Sequence, residues 1–259
     1  MNEVVLAIGG SDPSGGAGVQ GDLKTLHQHG VYGAAAITLL TVQSTRGVTR
    51  VDVLDAELVL SQIDAVLDDL DVRVIKTGAL GSGAIVRGVA QRADRAIVVC
   101  DPVVLATSGA VLASDAAMQA LVRELLPRAA IVTPNAAEAA AITGIDVEHV
   151  ASARRAAERI VAMGAQAALV KGGHLGGDRS IDVLAWSGGV EELPLPRIAT
   201  RAGHGTGCAL ASSIAARLAK GDTLLDAVRG AKAWLHRALA SAPSIGHGRG
   251  PLDLFAAPD

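Results

Sequence analysis

The chain has 259 residues, 23 Lys and Arg against 26 Asp and Glu, and a formal charge of −3 at pH 7; half of it is hydrophobic, yet only 2% is aromatic. Such a length can bury a substantial core, packed here by Ala, Val, Leu and Ile. The absence of a basic block and of rings for bases to stack on argues against nucleic acid as a partner. No apolar run approaches the roughly 20 residues that span a bilayer, so no membrane span is expected and the protein reads as cytoplasmic.

Short apolar runs alternate with Ala-rich stretches of helical pattern along the chain. Strands are expected at 4–8, 34–42, 72–77, 96–100, 129–133 and 167–171, as continuous apolar runs suited to burial on both faces. Helices are expected at 20–29, 55–69, 82–92, 114–125, 135–143 and 152–163. Asp55, Ser82 and Ser114 stand as caps, and His29-Gly30 and Met163-Gly164 as stops. After Lys171 two short strands, 180–186 and 189–195, and two helices, 208–220 and 223–242, complete the chain. This βαβ rhythm implies an α/β fold, with a mostly parallel sheet covered on both sides, in a single domain spanning 1–259.

The loop "GGSDPSGGAGVQGD" contains a literal G-x-G-x-x-G at Gly16, Gly18 and Gly21. A dinucleotide-binding fingerprint needs its first glycine directly after the first strand and an acidic residue about 20 positions on, at the end of the second. Here the strand run ends at Ile8, and the second strand runs into the uncharged Val42-Gln43-Ser44-Thr45. A nicotinamide-dependent oxidoreductase is therefore the remote reading. What remains is a polar loop at the carboxyl end of a buried strand, where open α/β sheets bind ligands, with Asp12, Gln20 and Asp22 as directional groups.

"AGHGTGCALASS" places Gly203, Gly205 and Gly207 before a helical run. The backbone N–H groups of Gly205, Thr206, Gly207 and Cys208 can turn toward one anion at the positive end of that helix. Cys208, in the same first turn, reads either as a thiol activated to act as a base or as a small packing residue. Cys100, which closes an apolar strand, reads as core. In "TPNAAEA", Asn135 and Glu138 are three apart and share a helix face, so they read either as Mg2+-orienting groups or as an ordinary helix cap. Asp101, at a strand end, supports the metal reading. Lys171 in "LVKGGHL" suits a nucleotide phosphate, while His174 and His204 are loop histidines able to titrate near neutrality.

Taken together and in this order, "GSDPSGGAGVQGDLKTLHQHGVYGAAAITLLTVQST", "DPVVLATSG", "LLPRAAIVTPNAAEA", "LVKGGHL", "HGTGC" and "AKAWL" resemble the hydroxymethylpyrimidine and phosphomethylpyrimidine kinases of thiamine biosynthesis, of the ribokinase-like superfamily, over essentially the whole chain. The resemblance implies a three-layer α/β/α sandwich that transfers phosphoryl groups from ATP, with Mg2+, to a small pyrimidine, and a homodimer. It implies that Gly10, Ala17, Asp22, Gln43 and Val103 contact the pyrimidine, with Asp22 and Gln43 giving polar recognition. By the same resemblance Cys208 activates the hydroxymethyl group and Gly205, Thr206 and Gly207 form the anion hole. Asn135 and Glu138 match the Mg2+ and phosphate motif, and Lys171 and Lys232 match nucleotide-side positions. A pyridoxal, pyridoxine or pyridoxamine kinase on the same scaffold is the alternative. The chain departs from the family pattern at Gly21, commonly Ala; at Ala79, often Met; and at Thr107, often Lys, which leaves Ser108-Gly109 to order that loop.

Overall fold

The computed structural model describes residues 3–104, 109–173 and 175–258; Thr107, Ser108 and His174 lie outside them. The strands β1 (Val4–Ser11), β2 (Tyr32–Ser44), β3 (Gly47–Val53), β4 (Val72–Thr77), β5 (Ile97–Cys100), β6 (Ile131–Val132), β7 (Ala167–Val170), β8 (Arg179–Trp186) and β9 (Gly189–Pro196) form one sheet in the order β3-β2-β1-β4-β5-β6-β7-β8-β9. From β2 through β7 the pairings are parallel, and β3, β8 and β9 add antiparallel edges. The expected mostly parallel sheet is thus present.

Each central strand buries alternate residues on opposite faces. Leu6, Ile75, Val98, Val132 and Val170 pack into one cluster with α2 (Ala56–Asp69), α3 (Gly83–Ala90), α4 (Asp115–Ala120), α5 (Ala136–Thr143) and α6 (Val150–Ala162). Val5, Val74, Val99, Ile131 and Leu169 pack into the other with α1 (Gly18–Gln28), α7 (Thr206–Ala219) and α8 (Leu224–Ala240). The continuous apolar runs follow from this double burial. Asp55, Ser82, Ser114 and Thr223 cap their helices with side-chain oxygens, and Gly30 and Gly164 have φ of 70° and 114°, the left-handed geometry of a helix stop.

Several expectations need correction. β1 runs on to Ser11, three residues beyond its apolar run, because Gly9 to Ser11 continue pairing with β2. The helix expected at 114–125 is a short α4 followed by a π turn over Leu121–Leu125. β3 lies outside the expected strands: it is a half-exposed edge strand whose Thr49, Arg50 and Asp52 interrupt any apolar run. Two short strands, β10 (Ala202–His204) and β11 (Gly250–Pro251), pair in parallel and tie the chain's last segment beside the start of α7.

Candidate active site

A cavity of about 970 Å3 opens along the carboxyl ends of the parallel strands, and Gly10, Ala17, Asp22, Gln43, Asp101, Val103, Asn135, Glu138, Lys171, Gly205, Thr206, Gly207, Cys208 and Lys232 all line it. The motifs noted along the sequence therefore converge on one space. Parallel strands in register bring their ends to one edge, and the loops that follow them form the walls.

At one end lies the start of α7. Gly205 is left-handed, with φ of 79°, and no side chain caps the helix, so its first N–H groups face the cavity unclaimed by a cap. The position admits only glycine: a Cβ there would stand 1.9 Å from the carbonyl oxygen of Gly16. The two glycine-rich loops, nearly 190 residues apart, therefore pack backbone to backbone. Across from Gly207 stand Lys171 and Asp101; a Cβ on Gly207 would lie 3.0 Å from Lys171 Nζ and 3.7 Å from Asp101 Oδ2. Lys171 donates to Asp101 Oδ1 at 2.8 Å and stands 4.0 Å from Glu138 Oε2. Burial works against its charge, yet Asp101 and Glu138 raise its pKa, so it is a fixed cation.

Asn135 and Glu138 form a capping box on α5: Glu138 N–H donates to Asn135 Oδ1 at 2.9 Å and Asn135 N–H donates to Glu138 Oε2 at 2.7 Å. The cap and the site are one feature, since both residues also line the cavity. Asn135 Oδ1, expected near Mg2+, accepts one helix N–H and keeps its second lone pair. Burial pushes the Glu138 carboxyl up to about 7, with Lys171 opposing and Asp101 adding to the rise.

Two buried polar clusters brace the cavity. Lys76 on β4, fully buried, donates to both carboxylate oxygens of Asp22 at 2.8 Å, and Ser212 Oγ on α7 donates to Asp22 Oδ1 at 2.8 Å. Asp22, expected at the pyrimidine, lines the cavity with its carboxylate braced by Lys76 and Ser212. Lys232 is likewise engaged, 2.7 Å from Asp182 Oδ2, while Asp182 Oδ1 accepts from the N–H of Gly172 at 2.7 Å.

The second cluster joins the first loop to the last. Asp12 accepts from the N–H groups of Ser14 and Ala17 at 2.8 Å each, and its Oδ2 lies 2.7 Å from His204 Nε2. Against the penalty of burial, the bonds from His204 and Ser14 hold the Asp12 carboxyl down to about 2. A carboxylate only accepts, so His204 Nε2 carries the proton. Gln43 Nε2 stands 3.1 Å from the same nitrogen. That N–H serves Asp12, and the Gln43 amide beside it lines the cavity. Beside Gln43, Leu39, Ala79, Leu112 and Val103 make an apolar wall. Sequence reasoning missed Lys76, Ser212 and the Asp12–His204 pairing; of these, only Lys76, a charge inside an apolar strand run, carried a signal.

Cys208 sits in the first turn of α7, as expected, but its thiol is not acidic. Burial pushes it up to about 11; Lys76 opposes the rise, and Asp22 and Asp101 add to it. Desolvation is the largest of these effects. The fully buried Cys100 is core and is pushed up to about 12, chiefly by burial.

The profile of one protein family, described as phosphomethylpyrimidine kinase, matches residues 12–253. The hydroxymethylpyrimidine/phosphomethylpyrimidine kinase of Rhizobium meliloti is 49% identical over 98% of this chain and 98% of its own. The structure of the Staphylococcus aureus pyridoxal kinase in complex with AMP-PCP and pyridoxal superposes with a TM-score of 0.90 at 30% identity, covering 99% of this chain and 94% of that one. That of the Clostridium difficile phosphomethylpyrimidine kinase does so with a TM-score of 0.78 at 35% identity, covering 91% and 98%.

Proposed function

The chain belongs to the phosphomethylpyrimidine kinase family, and from that premise we propose how its site works: a phosphoryl group passes from ATP to the hydroxymethyl of 4-amino-5-hydroxymethyl-2-methylpyrimidine, and a second passes to the resulting monophosphate. Family membership makes it a phosphotransferase of thiamine biosynthesis, and the nicotinamide reading falls away. One observation carries the assignment of roles: the uncapped start of α7, Lys171 and Cys208 line the same cavity as Gln43 and the apolar wall.

Phosphoryl transfer asks the protein chiefly to hold its reactants in line and to neutralise charge. Lys171 and the N–H groups of Gly205, Thr206, Gly207 and Cys208 take the transferred group's oxygens. The pyrimidine lies between Gly10, Ala17 and Val103, and the Gln43 amide gives polar recognition. Lys232, held by Asp182, adds positive charge on the nucleotide side. Cys208 Sγ faces the acceptor hydroxyl and takes its proton once ionised, with Lys76 favouring the thiolate.

Among the described residues no three His, Cys, Asp or Glu side chains gather as a metal cage. Asp101 and Glu138 nonetheless fit Mg2+, which prefers oxygen, keeps several waters and uses one or two carboxylates with substrate phosphates. Bound there, it would spread the phosphates' negative charge. Cytoplasmic location and a homodimer belong to this proposal on the family resemblance, and sedimentation would measure the second.

ADP release with hydroxymethylpyrimidine, its monophosphate, pyridoxal and ribose in parallel, for wild type and Cys208→Ala, tests the reading. Turnover of both pyrimidines, and its loss in the variant, is expected. Turnover of pyridoxal alone would sink the substrate assignment, and full activity of Cys208→Ala would remove the proton acceptor. The likeness to pyridoxal kinases in fold is what places pyridoxal among the substrates tried.

A further inference from the structure

A second cavity, of about 720 Å3, adjoins the first and shares with it Gln43, Thr200, Gly203, His204 and Arg249. Its charge is one-sided. Arg46 from the β2–β3 turn, Arg201 just before β10 and Arg249 just before β11 line it with the hydroxyls of Ser44 and Thr45, and no acidic residue lines it among the described residues.

Three segments distant in sequence are knitted together to make it. The N–H of Arg249 donates to the Thr45 carbonyl at 2.8 Å, that of Gly248 donates to Thr45 Oγ1 at 3.2 Å, and Ala202 pairs with Gly250. The approach is close enough that a Cβ on Gly248 would stand 1.9 Å from the Thr45 carbonyl oxygen. Other arginines of the chain meet a carboxylate, as in Arg50–Asp52, Arg92–Asp64 and Arg229–Glu191. Here, among the described residues, none of the three guanidinium groups has a hydrogen-bond or ion-pair partner. Like charges facing one space repel, in a chain whose net charge is −3; an anion relieves that repulsion, and the guanidinium fork matches phosphate oxygens.

We propose that this cavity is a phosphate-binding vestibule, which receives the phosphomonoester acceptor of the second transfer before it passes Gln43 and His204 into the main cavity. The inference rests on the two-step reading above. Its location selects the ligand: among the described residues Gln43 lines it, whereas Gly205, Thr206, Gly207, Cys208 and Lys171, to which the nucleotide phosphates are assigned, do not. Of the two acceptors, the uncharged hydroxymethylpyrimidine gains nothing from three cations, and its monophosphate does.

Steady-state kinetics with both acceptors, for wild type, Arg201→Ala/Arg249→Ala, Arg46→Ala and Arg201→Lys/Arg249→Lys, tests it. The arginines' side chains are exposed and unpartnered, so the variants fold. In the double alanine variant kcat/KM for the monophosphate should fall roughly tenfold, through KM, the low end of electrostatic steering effects. The constants for hydroxymethylpyrimidine should stay as in wild type, and the double lysine variant should keep most of the monophosphate rate. Salt should depress the monophosphate rate in wild type more than in the alanine variant. Calorimetry with inorganic phosphate, the nucleotide site filled by a non-hydrolysable ATP analogue, should show binding that the double alanine variant loses. Equal losses with both acceptors, or none with either, would overturn the vestibule while leaving the kinase reading intact. A wild type inert on both acceptors would overturn that reading and the vestibule with it.

Discussion

Lys76→Met removes the cation from a pair in which Lys76 is 0% and Asp22 1% exposed. Both carboxylate oxygens of Asp22 then lose a 2.8 Å ammonium bond, and Ser212 alone remains to answer a buried carboxylate. Leaving one member of a buried pair unpaired destabilises by about 3–5 kcal/mol. At roughly 2–4 °C per kcal/mol for a chain near this size, the melting temperature should drop by about 10 °C. Asp22→Asn should lose a comparable amount, since Lys76 is then the buried, unmatched charge. In the double variant Lys76→Met/Asp22→Asn no unpaired charge remains, and the introduced amide can still bond Ser212. Its loss should fall short of the sum of the singles by at least about 2 kcal/mol. Guanidinium unfolding followed by circular dichroism, read as a double-mutant cycle, measures the coupling. Single variants within about 1 kcal/mol of wild type, or an additive cycle, would refute the view that this pair is a charged strut beneath the site.

Further outcomes follow from the same geometry. If Cys208 accepts the proton as a thiolate with a pKa of about 11, kcat should climb between about pH 7 and 10, and Cys208→Ala should flatten the climb; a level wild-type profile would contradict this. Iodoacetamide should label Cys208 about tenfold more slowly than a free cysteine at pH 8, because the lost thiolate fraction exceeds the gain in nucleophilicity, and Cys100, fully buried, should stay unlabelled. The Asp12 carboxyl is held at about 2 against an ordinary 3.8, so its contribution of about 2 kcal/mol is present above pH 4 and lost as pH falls toward 2. Asp12→Asn should therefore lower stability at neutral pH and narrow that loss on acidification; an unchanged acid-unfolding curve would count against the His204 bond. Lys171→Met should raise KM for ATP at least tenfold, while hydroxymethylpyrimidine binding, followed by calorimetry, holds; equal weakening of both would misplace the nucleotide end.

Much of this protein could be read without coordinates, and for a local reason. A strand buried on both faces must be apolar along its length, as Val4–Ile8 and Ala167–Val170 are, and a helix start shows its cap at Asp55, Ser82 and Asn135. The order of strands and helices, and the glycines at Gly203, Gly205 and Gly207, follow from the same near-neighbour signals. Edge strand β3 escaped because one exposed face needs no apolar residues, and β10 and β11 because pairing, not composition, defines them.

What the fold alone decided is the state of each charged group. Asp22 reads in sequence as a ligand contact, and only the fold sets Lys76 beside it; Cys208 reads as either an activated thiol or a packing residue, and only the fold buries it enough to push its thiol up. Arg46, Arg201 and Arg249 are unremarked single charges until the pairing of β10 with β11 and the bonds to Thr45 bring them around one cavity. Pattern along a chain reports which face of an element is buried, because neighbours set that. Charge and pKa depend on what lies within a few ångströms in space, and those neighbours here are 54 to more than 190 residues away along the chain.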